Sequence, residues 1–261
     1  MRKALFAGVI ILLSACNQQT EKKFLQIPDL EQQNLKGKIR QVVTENYAAD
    51  STGKIGAMDT CCNSVEEYDD NGYSSKYITK DAKGNIKTEQ SFTHNDVGLF
   101  TGMTTMTGNK KTSSLTVEFD KDQKYHVVRS LDSMDKMDSY YDEITTNEFG
   151  EVTSAKQHNP DSSLKSSFTS NFEKQFYVGG ESKDSTGKVT YSSSVKLNDK
   201  NDQEQVTETT VDKDSTKTTV TTYKYDGWDE QGNWTQRTTY DDKGKPTKIT
   251  KRIITYADAK P

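Results

Sequence analysis

The three histidines of this chain, His94, His126 and His158, stand 32 residues apart each time. In a fold repeating with that period they would form a column, and stacked neutral imidazoles bind a metal. Their flanking residues do not match, so the spacing reads as coincidence and no metal site is assigned. Asp132, Asp135, Asp138 and Asp142 form an acidic stretch of the type that offers hard oxygen ligands to Ca²⁺. No loop has the EF-hand spacing that closes on Glu, and acidic turn residues need no ion to account for them. Serine is abundant, yet none lies in Gly-x-Ser-x-Gly, and Walker and Gly-x-Gly-x-x-Gly loops are absent. No catalytic residue and no cofactor is therefore expected. The 39 acidic side chains always offer carboxylate pairs suited to glycoside hydrolysis, without singling one out. Cys61 and Cys62 are adjacent, and a bond between them needs a strained peptide. They read as two loop thiols, with a vicinal disulfide or intermolecular bridges as alternatives in an oxidising compartment.

Five aromatic residues hold the remaining binding chemistry. Trp228 and Trp234 flank a turn, with Tyr223, Tyr225 and Tyr240 nearby. Exposed in a row, they would stack on a glycan or anchor a protein partner. The competing reading is the buried core of C-terminal hairpins. Alternation places Tyr223 and Tyr225 on one face, and Trp234 and Tyr240 on one face of the next strand.

The elements that position these residues are strands. Leu, Ile, Val and Phe make up 46 of 261 residues, too few for a large core, while net charge is only −4 from 35 basic and 39 acidic side chains. Thirteen Tyr and nine Phe argue against a fully disordered chain. The balance fits extended sheet with a wet face, and the lack of basic excess gives no reason to expect nucleic acid. From Leu35 onward, short alternating runs are separated by Asp-x-x-Gly: Asp69–Gly72, Asp81–Gly84, Asp184–Gly187, Asp229–Gly232 and Asp241–Gly244. Asp accepts backbone N–H bonds at the start of a type I turn, and Gly takes the left-handed conformation that starts the return strand. Degenerate copies begin at Asp120, Asn147 and Asn198. Gly72 to Gly84 and Gly232 to Gly244 are each twelve residues, one strand plus one turn. The expected fold is all-β, an antiparallel meander of tandem hairpins over 34–256, forming an extended or partly curled sheet. Residues 257–261 are a tail. Helical periodicity is poor, its best candidate being Pro28–Gln33.

The N-terminus has a different pattern. Arg2 and Lys3 precede an apolar run from Ala4 to Leu12, which has signal-peptide length and is too short to span a bilayer. Leu13-Ser14-Ala15-Cys16 resembles the lipobox of bacterial lipoproteins. The resemblance implies lipid addition to the Cys16 thiol, cleavage after Ala15 and anchoring by acyl chains, of which two suffice for stable attachment. Residues 1–15 are then a removed signal, and 16–33 the lipidated Cys with a flexible tether. Asn17 is not the Asp that retains enteric lipoproteins in the inner membrane, and Asn17–Thr20 lacks the acidic export cluster of Bacteroidota lipoproteins. The expected address is the outer membrane, with the face left open.

Leu35-Lys36-Gly37-Lys38-Ile39, followed by Tyr68-Asp69-x-x-Gly72, is similar to the opening of RHS/YD-repeat-like lipoproteins of Bacteroidota. Tyr223–Asp226, Gly232–Arg237, Gly244–Pro246 and Arg252–Tyr256 extend the resemblance, while roughly 102–177 departs from it. It implies hairpin architecture and no particular activity. The Thr-rich stretch Gln205–Thr222 is similar in composition to spirochaete outer-surface lipoproteins. The expectation is a lipid-anchored envelope protein with a non-catalytic binding or structural role towards a protein or glycan. The alternatives are an envelope glycan hydrolase, or an accessory or immunity-like partner of an RHS-type toxin.

Overall fold

The computed structural model describes residues 26–212 and 215–257. The signal, Ala15, Cys16 and residues 258–261 of the tail lie outside them.

The turn grammar sets the local structure. Asp69 Oδ1 accepts the backbone N–H of Asn71 at 2.9 Å and of Tyr73 at 3.0 Å, while Gly72 N–H closes on the Asp69 carbonyl at 3.0 Å. Asp81, Asp184, Asp229 and Asp241 repeat this arrangement, as do the degenerate turns at Asp120, Asn147 and Asn198. Gly72 has φ +87°, the left-handed conformation that only glycine adopts without cost.

Between the turns run β1 (Ile39–Ala49), β2 (Ile55–Met58), β3 (Asn63–Tyr68), β4 (Ser74–Lys80), β5 (Ile86–His94), β6 (Phe100–Thr107), β7 (Lys110–Phe119), β8 (Tyr125–Asp132) and β9 (Met137–Thr146). They continue as β10 (Val152–His158), β11 (Leu164–Glu173), β12 (Phe176–Asp184), β13 (Val189–Leu197), β14 (Gln203–Asp212), β15 (Ser215–Trp228), β16 (Trp234–Tyr240) and β17 (Pro246–Tyr256). Consecutive strands from β3 to β17 pair antiparallel, and β1 pairs with both β3 and β17. The short β2 pairs with the far end of β1 alone, continuing the line of β3. The sheet therefore closes into a 16-stranded barrel, correcting the expected extended or partly curled sheet. Closure removes the two long edges an open meander would expose. A ring of this strand number at ordinary spacing and tilt is roughly 30 Å across.

Pairing carries one face around the ring. Val42 packs against Leu30 and Leu35 of the N-terminal segment, and Val42 lies opposite both Glu66 and Ile254. These residues and their same-face partners line the lumen. The next residue along each strand faces outward, and there Lys76 pairs with Glu89 at 3.1 Å and Lys183 with Glu181 at 2.7 Å. Arg129 and Glu118 form a further outer pair, next to the lumen-lining Val128. Most wall residues are half-buried, as expected of a single layer with water on both sides.

Gln26–Lys36 crosses one mouth of the barrel. Its short helix α1 (Asp29–Gln32) buries Leu30 in a cluster with Leu35, Ile39, Val42 and Tyr68. Ile27 N–H reaches the Phe149 carbonyl in the β9–β10 turn at 3.1 Å, and Leu30 N–H reaches Gly72 in the β3–β4 turn at 3.1 Å. Asn34 Nδ2 bonds the Lys200 carbonyl in the β13–β14 turn at 2.8 Å, and Lys36 N–H bonds Asn233 Oδ1 in the β15–β16 turn at 2.7 Å. These anchors sit on well-separated parts of one rim, so the segment lies across the opening. Residues 26–33, expected to be tether, are thus part of the barrel.

Candidate functional site

The candidate site is the lumen beneath this plug. On the β6–β11 side it holds a cavity of about 590 Å³, lined mainly by Leu115, Val128, Tyr141, Ile144, Val152, Ala155 and Phe168. Apolar walls with a few converging polar groups are the usual make-up of a small-molecule site. Gln26 supplies one such group: its Oε1 accepts the Tyr125 hydroxyl at 3.0 Å. Gln157 supplies another, held between Ser139 Oγ at 3.1 Å and Ser166 Oγ at 3.0 Å. Glu151 is the third. Its Oε1 is buried without a hydrogen-bond partner. Burial, with Asp29 adding negative charge, pushes its carboxyl up to about 7.

On the β12–β17 side a second cavity, of about 280 Å³, contains Arg237, Arg252, Trp234 and Tyr225. The Arg252 guanidinium stacks on Trp234 at 3.6 Å, and Arg237 lies over Tyr223 at 4.5 Å and Trp234 at 4.9 Å. Such stacking spends the cation's face and leaves its N–H edge free. Burial, then repulsion from Arg237, lowers Arg252 to about 10.

The lumen brings together some of the residues singled out in the sequence. Tyr223, Tyr225 and Trp234 share the inner face, with Tyr225 and Trp234 rings 5.6 Å apart. Trp228 joins them at its strand end, 5.8 Å from Tyr225. Tyr240 does not: it faces outward beneath Lys224. Register irregularities around Gly227 move Trp234 onto the face of Arg237, breaking the simple alternation. Trp234 is only 5% exposed, on the side of the buried-core reading and not of an exposed row.

His94 stacks on Tyr73 at 4.9 Å, and His158 stacks on Tyr140 while meeting Asp142 at 3.0 Å. Asp132 caps its own turn, and Asp135 pairs with Lys111. Among the described residues no three His, Cys, Asp or Glu side chains converge as a metal site. Cys61 and Cys62 are joined to each other as the vicinal disulfide, in place of the two free loop thiols that their spacing favours. Glu151, Arg237 and Arg252 had no local signal; pairing parity relative to Val42 places the two arginines inside, and the β9–β10 turn places Glu151 at the cavity.

The strands and this lumen define a closed antiparallel barrel with an occluded mouth. No family model matches the chain, and neither does any curated protein. Among solved structures it is similar to a porin-like protein from Bacteroides uniformis, at 11% identity over 83% of this chain and 96% of that one, TM-score 0.38. A porin-like protein from Bacteroides vulgatus gives 11% identity over 83% and 99%, TM-score 0.34. A TcdB2–TccC3 structure gives 9% identity over 77% of this chain and 16% of that one, TM-score 0.20. Scores this low do not bear on function, and the barrel rests on its own strand pairing.

Proposed function

We propose that the chain is a lipid-anchored protein of the bacterial outer membrane. Its barrel stands in water and binds a small apolar or amphipathic molecule in the lumen without acting on it chemically. The cavity between Leu115 and Phe168 carries this reading, being mainly apolar, set against the inner wall and edged by Gln26, Gln157 and Glu151. The outer wall supports the water-facing part. A lysine or arginine facing lipid at mid-bilayer costs about 2–4 kcal/mol. Lys76, Arg129 and Lys183 all face outward from within strands. The lipobox at Leu13–Cys16 supplies the attachment that such a wall does not.

The test is binding of an environment-sensitive apolar dye, followed by its displacement with fatty acids of graded length. The full chain carrying Cys16→Ser should bind the dye saturably at one site. Ala155→Trp, which fills the cavity, should lower affinity at least tenfold with the thermal melt retained. Equal binding by both proteins would overturn the reading.

A further inference from the structure

We propose that the lumen holds an oxyanion site distinct from the apolar cavity, formed by Arg237 and Arg252 and taking a ligand with a carboxylate or phosphate group. This site faces the apolar cavity from the other half of the ring, so it does not depend on that cavity being occupied.

The first observation is an uncompensated charge. Neither guanidinium is in an ion pair among the described residues. Asp202 is the carboxylate that acts electrostatically on Arg252, but it lies outside ion-pair range. Its Oδ1 is taken by Asn34 Nδ2 at 3.0 Å, and its Oδ2 has no hydrogen-bond partner. This one carboxylate also interacts with Lys36 and Lys200, so it does not neutralise the Arg237–Arg252 pair. Buried charges without partners are costly, and a bound anion is the direct way to relieve that cost.

The second observation is orphaned donors. Arg237 Nε and Arg252 Nε and Nη1 are buried and make no hydrogen bond. Both side chains line a cavity of about 280 Å³, roofed by Gln32, Gln33 and Asn34 of the plug. Trp234 fixes the plane of Arg252 by stacking, so the N–H edge is held in advance for a forked acceptor. Lysine has no such edge, so the arrangement selects a planar or tetrahedral oxyanion over a halide. Phenylalanine and tyrosine also line the cavity, at Phe176 and Tyr225, leaving room for an apolar group beside the anion.

The test uses the full chain carrying Cys16→Ser and Trp228→Phe, so that Trp234 alone reports fluorescence. It is titrated at constant ionic strength with inorganic phosphate, with benzoate, and with chloride and glucose as controls. A saturable change in Trp234 emission, with a higher Tm, is expected for phosphate or benzoate. The responding arm names the ligand group. Arg252→Gln should abolish the response, Arg237→Gln should weaken it at least tenfold, and Arg252→Lys should not restore it. Without added anion at low salt, Arg252→Met should melt above the parent protein, because a buried charge has been removed. Equal responses to chloride and phosphate, no response to either oxyanion, or an unchanged response in Arg252→Gln would each overturn the site. If Arg252→Met melts below the parent and phosphate stabilises neither, the pair serves only to stack on Trp234 and the site is overturned.

Discussion

At the scale of single residues, the sequence displays backbone chemistry and hides the lumen. Asp69 and Gly72 announce their turn because each has a stereochemical duty visible in its type. Glu151, one residue beyond the Asn147 turn, looks like any surface acid among 39. Only the ring of strands around it makes it a largely buried carboxyl with an unpartnered oxygen. Its pH behaviour follows. The folded carboxyl titrates near 7, above the ordinary value of 4.5, so folding favours its protonated form. The associated stability is fully present below pH 4.5 and is lost as pH rises through 7. Glu151→Gln should therefore raise Tm by a few degrees at pH 8 and leave it near the parent value at pH 4. Paired melts at the two pH values check this, and an equal gap at both would refute the burial of this carboxyl.

At the scale of elements, hairpins were legible and the plug was not. The turns read at Asp69–Gly72 and Asp81–Gly84 bracket a strand, and the structure has it at Ser74–Lys80. The turn spacing is local, so neighbouring residues suffice to read it. Gln26–Gln33 is short, polar and weakly periodic, which fits a tether equally well. Its order comes from turns far away in sequence, such as Phe149 and Lys200. The register of β16 shows a similar limit. The displacement that separates Trp234 from Tyr240 is set by pairing with β15 and leaves no mark in composition. If the plug contributes to the fold, Leu30→Ala should cost about 2–4 kcal/mol, as large-to-small changes do in packed clusters. Ile86→Ala, at a side chain 51% exposed, should stay within about 0.5 kcal/mol. Urea unfolding of the two variants measures the contrast, and a neutral Leu30→Ala would make the segment a passive strap.

At the scale of the whole molecule, closure is what the sequence conceals. Hairpin signals state that each strand meets the next; they are silent on whether the first meets the last. That contact joins β1 to β17, with Asn46 receiving the Thr250 hydroxyl at 2.8 Å across 204 residues. Closure also changes the meaning of the low hydrophobic content. An open wet sheet would present two polar faces. The barrel instead places its charged pairs outside and gathers Leu115, Val128 and Phe168 within. In the function proposed above, this barrel is held at the outer membrane by its lipid and not by its wall. Membrane partition tests it most directly. Cells would express either the chain with its own signal, or the same chain with Cys16→Ser behind a cleavable secretory signal. The account predicts that the first stays with the membrane fraction and the second is released wholly into the soluble fraction. A Cys16→Ser barrel that remains in the outer membrane after alkaline carbonate extraction would contradict it.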